Sequence, residues 1–215
     1  MRFWLVPLFL PALAACAEGS SGALDQTQAS PQCSPSDLVC AVGGIDAPIA
    51  TGASLPIDVN VTSQGSAAPP LTYVSADSSV LTVRGVHVDG IAPGVASLLV
   101  MTGGMVIDFF HVWVRTPDAV HLHHRSDEGV EVGDLPGRVQ LLVGDELRLS
   151  AELYAGPQRL LGEAESTWTS DAEVAQILEE GARHRRRLVG RAPGLTTVEV
   201  EALGLSTTLD VEVLP

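Results

Sequence analysis

The chain has 215 residues, with 12 basic residues against 26 acidic ones and a formal net charge of −14. A surface this acidic repels nucleic acid and anionic lipid headgroups, so neither is expected as a partner through charge. Every basic residue is Arg, and the length suffices for two small domains of about 100 residues each behind an amino-terminal leader.

Met1-Arg2 opens the leader, Phe3 to Leu10 form an apolar segment broken by Pro7, and an Ala-rich stretch ends at Ala15, just before Cys16. These are the three parts of a secretory signal, and the apolar part falls short of the ~20 residues that a spanning helix needs. Leu13-Ala14-Ala15-Cys16 resembles the lipobox of bacterial lipoproteins. The resemblance implies a signal peptide over 1–15, lipid on the Cys16 thiol, and a mature chain that begins at Cys16. An ordinary secretory cleavage site that happens to carry a cysteine is the competing reading. Loss of Arg2 with the leader would take the formal charge from −14 to −15. Ala17, where inner-membrane retention favours Asp, fits an envelope location at the outer membrane in preference to the inner one.

Residues 16–36 are rich in Ser, Gly, Gln, Ala and Pro with no hydrophobic period, and so read as a flexible tether with a reach of roughly 25 Å. Cys33 and Cys40 remain once Cys16 is assigned to lipid. An exported protein meets an oxidising compartment, which favours a disulfide between them, with two free thiols as the alternative.

The rest of the chain repeats one pattern. Gly52 precedes alternating Leu55, Ile57, Val59 and Val61, and Gly144 precedes Leu147, Leu149, Ala151 and Leu153; each reads as a strand with one buried face. An aromatic residue, a Ser/Asp-rich turn and a valine follow, as Tyr73 to Val80 and as Trp168 to Val174. Gly90, Ala92, Pro93 and Gly94 then recur one hundred residues later as Gly190, Ala192, Pro193 and Gly194, where Pro followed by Gly suits a tight turn. Paired strands close each copy around Gly103-Gly104 and Gly204. In the second pair, Val198, Val200, Leu209, Val211 and Val213 alternate with Thr and acidic residues, which predicts a hairpin with an acidic outer face.

Short alternating strands without a long helical period argue for an all-β sandwich. The order of strand, aromatic, Ser/Asp turn, Ala-Pro-Gly turn and paired end resembles the bacterial Ig-like group 2 domain of invasin- and intimin-type surface proteins. The resemblance implies two tandem immunoglobulin-like β-sandwiches, over 37–116 and 117–215. It also implies that Trp168 and the Ala-Pro-Gly turns are architectural. The copies meet at Val114 to Pro117 with almost no linker, so a stiff tandem is expected. An insertion over Arg125 to Arg138 distinguishes the second copy.

Three clusters are candidates for function. His121 and His123 lie on one face of a strand and are candidate metal ligands with His111, Asp127 or Glu128, against the alternative of solvated histidines on an edge strand. Arg183, Arg185, Arg186 and Arg187 form a basic run able to grip an anion, or a solvated loop that balances nearby glutamates. Counting back from Val112 and Val114 as inward places Phe109, His111 and Trp113 outward, a candidate partner patch unless a bulge returns them to the core. No motif for nucleophilic, phosphate-binding, dinucleotide or zinc-protease chemistry occurs, so no enzyme and no cofactor are expected. The expected role is a non-catalytic adhesive, spacer or protein-interaction module, held to the membrane through Cys16 and meeting a protein or envelope polymer. The alternative is a ligand-binding lipoprotein that captures a metal, carbohydrate or envelope component.

Overall fold

The computed structural model describes residues 26–31, 45, 47–62, 70–128 and 130–215, and among these the backbone forms strands and turns with no helix. Cys16, Cys33 and Cys40 lie outside the described residues, as does the leader. The first half contains β1 (Gln26–Pro31), β2 (Ile49–Ala50), β3 (Ser54–Thr62), β4 (Thr72–Ser75), β5 (Leu81–Arg84), β6 (His87–Gly90), β7 (Gly94–Thr102) and β8 (Met105–Arg115). They form two four-stranded sheets, β1-β3-β6-β5 and β2-β8-β7-β4. Leu55, Ile57, Leu81, Val88, Leu98, Val100 and Val112 are buried between them.

The second half contains β9 (Ala119–Arg125), β10 (Glu131–Asp134), β11 (Arg138–Leu142), β12 (Glu146–Ala155), β13 (Gln158–Arg159), β14 (Ser166–Thr169), β15 (Ala175–Glu179), β16 (Arg185–Gly190), β17 (Gly194–Ala202) and β18 (Leu205–Leu214). One sheet runs β10-β9-β12-β16-β15 with β13 beside β12, and the other runs β11-β18-β17-β14. The inward residues of β12, Leu147, Leu149, Ala151 and Leu153, pack there with Leu188, Val198, Val200, Leu209 and Val211. Trp168 packs against this core, and Tyr73 packs against the first. Trp168 keeps its indole N–H satisfied by donating to Ser166 Oγ at 2.8 Å.

The repeat read from the sequence is a repeat of backbone geometry. Gly52 N donates to Gly90 O at 2.8 Å, and Gly144 N donates to Gly190 O at 2.9 Å. The carbonyl of Val80 accepts from Ile91 and Ala92, as that of Val174 accepts from Arg191 and Ala192. Asp77 Oδ1 accepts from Ser79 N and Asp171 Oδ1 from Glu173 N, so each Ser/Asp-rich turn is closed by its own aspartate. In both copies a short strand lies parallel to the last strand of the copy, β2 along β8 and β11 along β18.

One expectation is revised and one takes a defined form. The stretch 16–36, read as a flexible tether, contains β1, which pairs antiparallel with β3 from Gln26↔Thr62 to Pro31↔Ile57. An edge strand needs only backbone pairing, so its sequence shows no hydrophobic period. The insertion Arg125–Arg138 is a hairpin extension in which β10 pairs with β9 and carries a bulge between Glu131 and Gly133.

The two sandwiches interlock. Ala50 N donates to Leu161 O at 3.0 Å and Leu161 N to Pro48 O at 2.8 Å, while Ser54 and Glu163 exchange both of their backbone hydrogen bonds. Ala50 and Ala53 belong to the core of the second sandwich, and Leu161 packs against the core of the first. Arg115 Nη1 adds a hydrogen bond to Gln158 Oε1 across the junction.

Candidate interaction face and buried polar network

The outer faces of the two β7/β8-type hairpins differ in chemistry although their registers match. In the first copy the cross-strand pairs are Val95↔Trp113, Ser97↔His111 and Leu99↔Phe109. In the second they are Leu195↔Glu212, Thr197↔Asp210 and Glu199↔Thr208. Phe109 and Trp113 are 43% and 56% exposed, and Val74 and Val95 are exposed beside them. The acidic face expected on the second hairpin is present, and its counterpart in the first copy is apolar and carries no carboxylate among these pairs.

A bulge explains why Asp108 does not upset this arrangement. The register shifts between Val100 and Met101, so that Ile107 and Asp108 are both buried in succession and strict alternation resumes at Phe109. The bulge therefore preserves the outward set and does not return it to the core. Across the face, Ser97 Oγ lies 3.2 Å from His111 Nδ1, and the Phe109 and His111 rings meet edge-on at 5.4 Å. Offset and edge-on ring contacts of this kind hold aromatic side chains in place at little entropic cost.

His121 and His123 do share the outer face of β9, yet their surroundings differ from those expected. His123 is 2% exposed, with Nδ1 2.9 Å from Glu131 Oε1 and 3.2 Å from Asp134 Oδ1, both on β10. His123 Nε2 lies 3.1 Å from the Tyr154 hydroxyl. His121 stacks on Tyr154 with ring centroids 4.5 Å apart. Both nitrogens of His123 thus face protein groups, and no cluster of three or more His, Cys, Asp or Glu suited to a metal occurs among the described residues. Asp127, named as a candidate ligand, instead lies 3.4 Å from Arg148, and Glu128 accepts from Ser126 Oγ.

The network spreads further than the sequence indicated. Arg159 bridges Glu131 at 2.6 Å and Glu152 at 2.9 Å, and Glu152 is itself buried on β12 beside His184. His184 Nδ1 lies 3.7 Å from Glu163 Oε1. Burial holds the His184 pKa below its usual value, outweighing the pull of Glu152 and Glu163 in the opposite direction. Burial likewise raises the Tyr154 pKa. These groups alternate with core residues as a solvated face would. Only the hairpin that bears Glu131 and Asp134, which no periodicity marks, turns that face into an interior.

The arginine run does not form one basic patch. Arg187 pairs with Glu146 at 3.0 Å, and Arg186 lies over the Trp168 ring at 5.8 Å while donating to the carbonyls of Arg183 and Arg185. Arg185 is half-buried next to His184, and Arg183 alone projects outward, pairing with Glu165 at 3.2 Å. The run is the β16 entry, in which alternate arginines serve opposite faces.

No protein-family model matches the chain, and no curated protein is similar to it in sequence. Among solved structures it is similar to domains 4 and 5 of the S-layer protein SbsC, at 19% identity over 72% of this chain and 82% of that one, with a TM-score of 0.32. A longer SbsC structure aligns with 91% of this chain at 15% identity and a TM-score of 0.35, and the chain spans only 28% of its length. The Escherichia coli adhesin FdeC aligns at 9% identity over 86% of this chain and 62% of that one, with a TM-score of 0.33.

Proposed function

We propose that the protein is a lipid-anchored module of the cell envelope. In this reading its two Ig-like sandwiches act as a stiff, non-catalytic spacer that presents the aromatic sheet face of the first copy to a protein partner. The observation that carries the reading is the contrast between matched positions. Trp113, His111 and Phe109 stand where the second copy has Glu212, Asp210 and Thr208. An exposed set of large aromatics on a sheet face, with a histidine and a serine to fix orientation, has the composition of a contact surface. The occupant is a different protein and not a second copy, because two chains of formal charge −14 repel one another. The interlocked junction supports the spacer role, since main-chain bonds tie the halves together.

Crosslinking in intact cells tests this. A photo-reactive phenylalanine analogue at position 109 is expected to yield a discrete protein adduct, which Trp113→Ala abolishes, while the same analogue at position 208 yields none. Equal adducts at both positions, or adducts to polysaccharide alone, would overturn the protein-contact reading. Anchoring is tested separately through Cys16.

A further inference from the structure

We propose that the cleft where the two sandwiches meet binds a small polyhydroxylated carboxylate, an acidic sugar unit. The cleft has a volume of about 340 Å³ and is lined by Ser54, Pro56, Arg84, His87, Glu163 and Arg183. It lies apart from the aromatic face, on the other sheet of the first sandwich, and does not depend on the protein-contact reading.

Its walls are fixed by the fold. Pro56, His87 and Arg84 form one row across β3, β6 and β5, since Pro56 pairs with His87 and His87 with Arg84. Glu163 and Arg183 come from the second sandwich. Glu163 is held there by backbone hydrogen bonds of 3.0 and 2.8 Å exchanged with Ser54. Arg84 is aimed by Asp89, which accepts from its Nε at 2.7 Å and its Nη2 at 2.8 Å, and those bonds keep the Asp89 carboxyl below the usual carboxylate range. Groups held in place before a ligand arrives lose little freedom on binding it.

The chemistry of the lining selects the ligand. On a chain of net charge −14, two guanidinium groups and an imidazole converge on one cleft. Arg84 gives Nε and Nη2 to Asp89 and Arg183 gives Nη1 to Glu165, so each guanidinium has further N–H groups beyond its carboxylate partner for an incoming anion. Planar guanidinium forks suit a carboxylate. The Glu163 carboxylate and the Ser54 hydroxyl accept from sugar hydroxyls, and Glu163 disfavours a doubly charged phosphate in the same space. Pro56 is the single apolar residue of the lining, so an apolar ligand has nothing to bury against. The volume is at the small end of the roughly 300–1,000 Å³ range of ligand sites, suited to one or two sugar rings.

Titration of the full chain with glucuronate, glucose and inorganic phosphate, at low ionic strength, tests the assignment. Glucuronate is expected to saturate with a dissociation constant on the order of 1 mM, with glucose and phosphate each at least tenfold weaker. Arg183→Gln, on an exposed side chain whose loss leaves the sandwich cores untouched, is expected to weaken glucuronate at least tenfold. The Phe109→Ser, Trp113→Ser double variant is expected to bind it as before. Absence of glucuronate binding, equal binding of glucose or phosphate, or indifference to Arg183→Gln would each overturn the proposal.

Discussion

Leu203, at the tip of the β17–β18 hairpin of the second sandwich, rests on Gly52 of the first: a Cβ built on Gly52 would lie 2.9 Å from Leu203 Cδ2. Leu203 has a φ of 53°, and it is the one non-glycine residue with positive φ among those described. A left-handed leucine costs roughly 1–2 kcal/mol, a strain here coupled to a contact between the two halves. Gly52 has a φ of 84°, so Gly52→Ala strains its own backbone and displaces Leu203 as well. A loss of about 1–3 kcal/mol is expected in denaturant unfolding. Leu203→Asn separates the two effects, because asparagine tolerates the turn but cannot fill the contact. It is expected to leave the melting of the second sandwich nearly unchanged while quickening proteolysis near residues 115–118.

Gly90 and Gly190 supply a matched pair of substitutions. A Cβ would meet Ala50 O at 2.5 Å and Val114 Cγ1 at 3.1 Å in the first copy, and Leu142 O at 2.6 Å and Val213 Cγ1 at 3.2 Å in the second. In both, the obstacle is backbone and cannot rotate away. Gly90→Ala and Gly190→Ala are each expected to destabilise by about 1–3 kcal/mol, and similar shifts in denaturation midpoint would show that the two glycines do the same work. A neutral result at either position would contradict the close approach.

His184 gives a pH dependence of defined sign. Its folded pKa lies below the usual imidazole value of about 6.5, first because of burial, so at mildly acidic pH the unfolded chain takes up a proton that the folded chain refuses. The stability associated with a neutral His184 is therefore complete above about pH 6.5 and is lost as pH falls from there toward the folded pKa. Chemical denaturation of wild type and His184→Gln between pH 7.5 and pH 5, in our expectation, shows a drop in wild type that the variant lacks. The drop must come before the carboxylates titrate. Parallel curves for the two proteins would contradict the assignment to His184.

Cys16→Ser is expected to move the protein from the membrane fraction to the soluble fraction without altering its melting temperature. With no thiol there is no site for the diacylglyceryl group, and two or more acyl chains are what makes such an anchor stable. Continued sedimentation with membranes would count against lipid attachment.

The strands that carry the repeat were readable because each has one buried face. Leu147, Leu149, Ala151 and Leu153 alternate in the chain and are buried together in the core. The outward position of Phe109 and Trp113 was readable as well, since counting from Val112 and Val114 starts beyond the Asp108 bulge. β1 was not readable, because a strand of Gln, Thr, Ala, Ser and Pro shows no hydrophobic alternation and is recognised only from its backbone pairing with β3. The polar network around His123 and Glu152 was hidden for a different reason. Alternating charged residues look solvated until a second segment covers them, and what brings Glu131, Asp134 and Arg159 over that face is tertiary structure. The cleft at the junction depends on two halves that are far apart in sequence, so the arginine run drew notice where only Arg183 turns toward the cleft.

The parallel pairing of β11 with β18 has a mechanical consequence. From Arg138↔Asp210 to Leu142↔Leu214 the two strands run side by side in the same direction. Tension that draws β11 back toward its amino end and β18 out toward its carboxyl end slides one strand along the other. All the rungs between them bear load together and do not open one at a time. β2 and β8 repeat the arrangement on a shorter scale in the first copy. Strands paired this way resist sliding along their length far better than peeling across it.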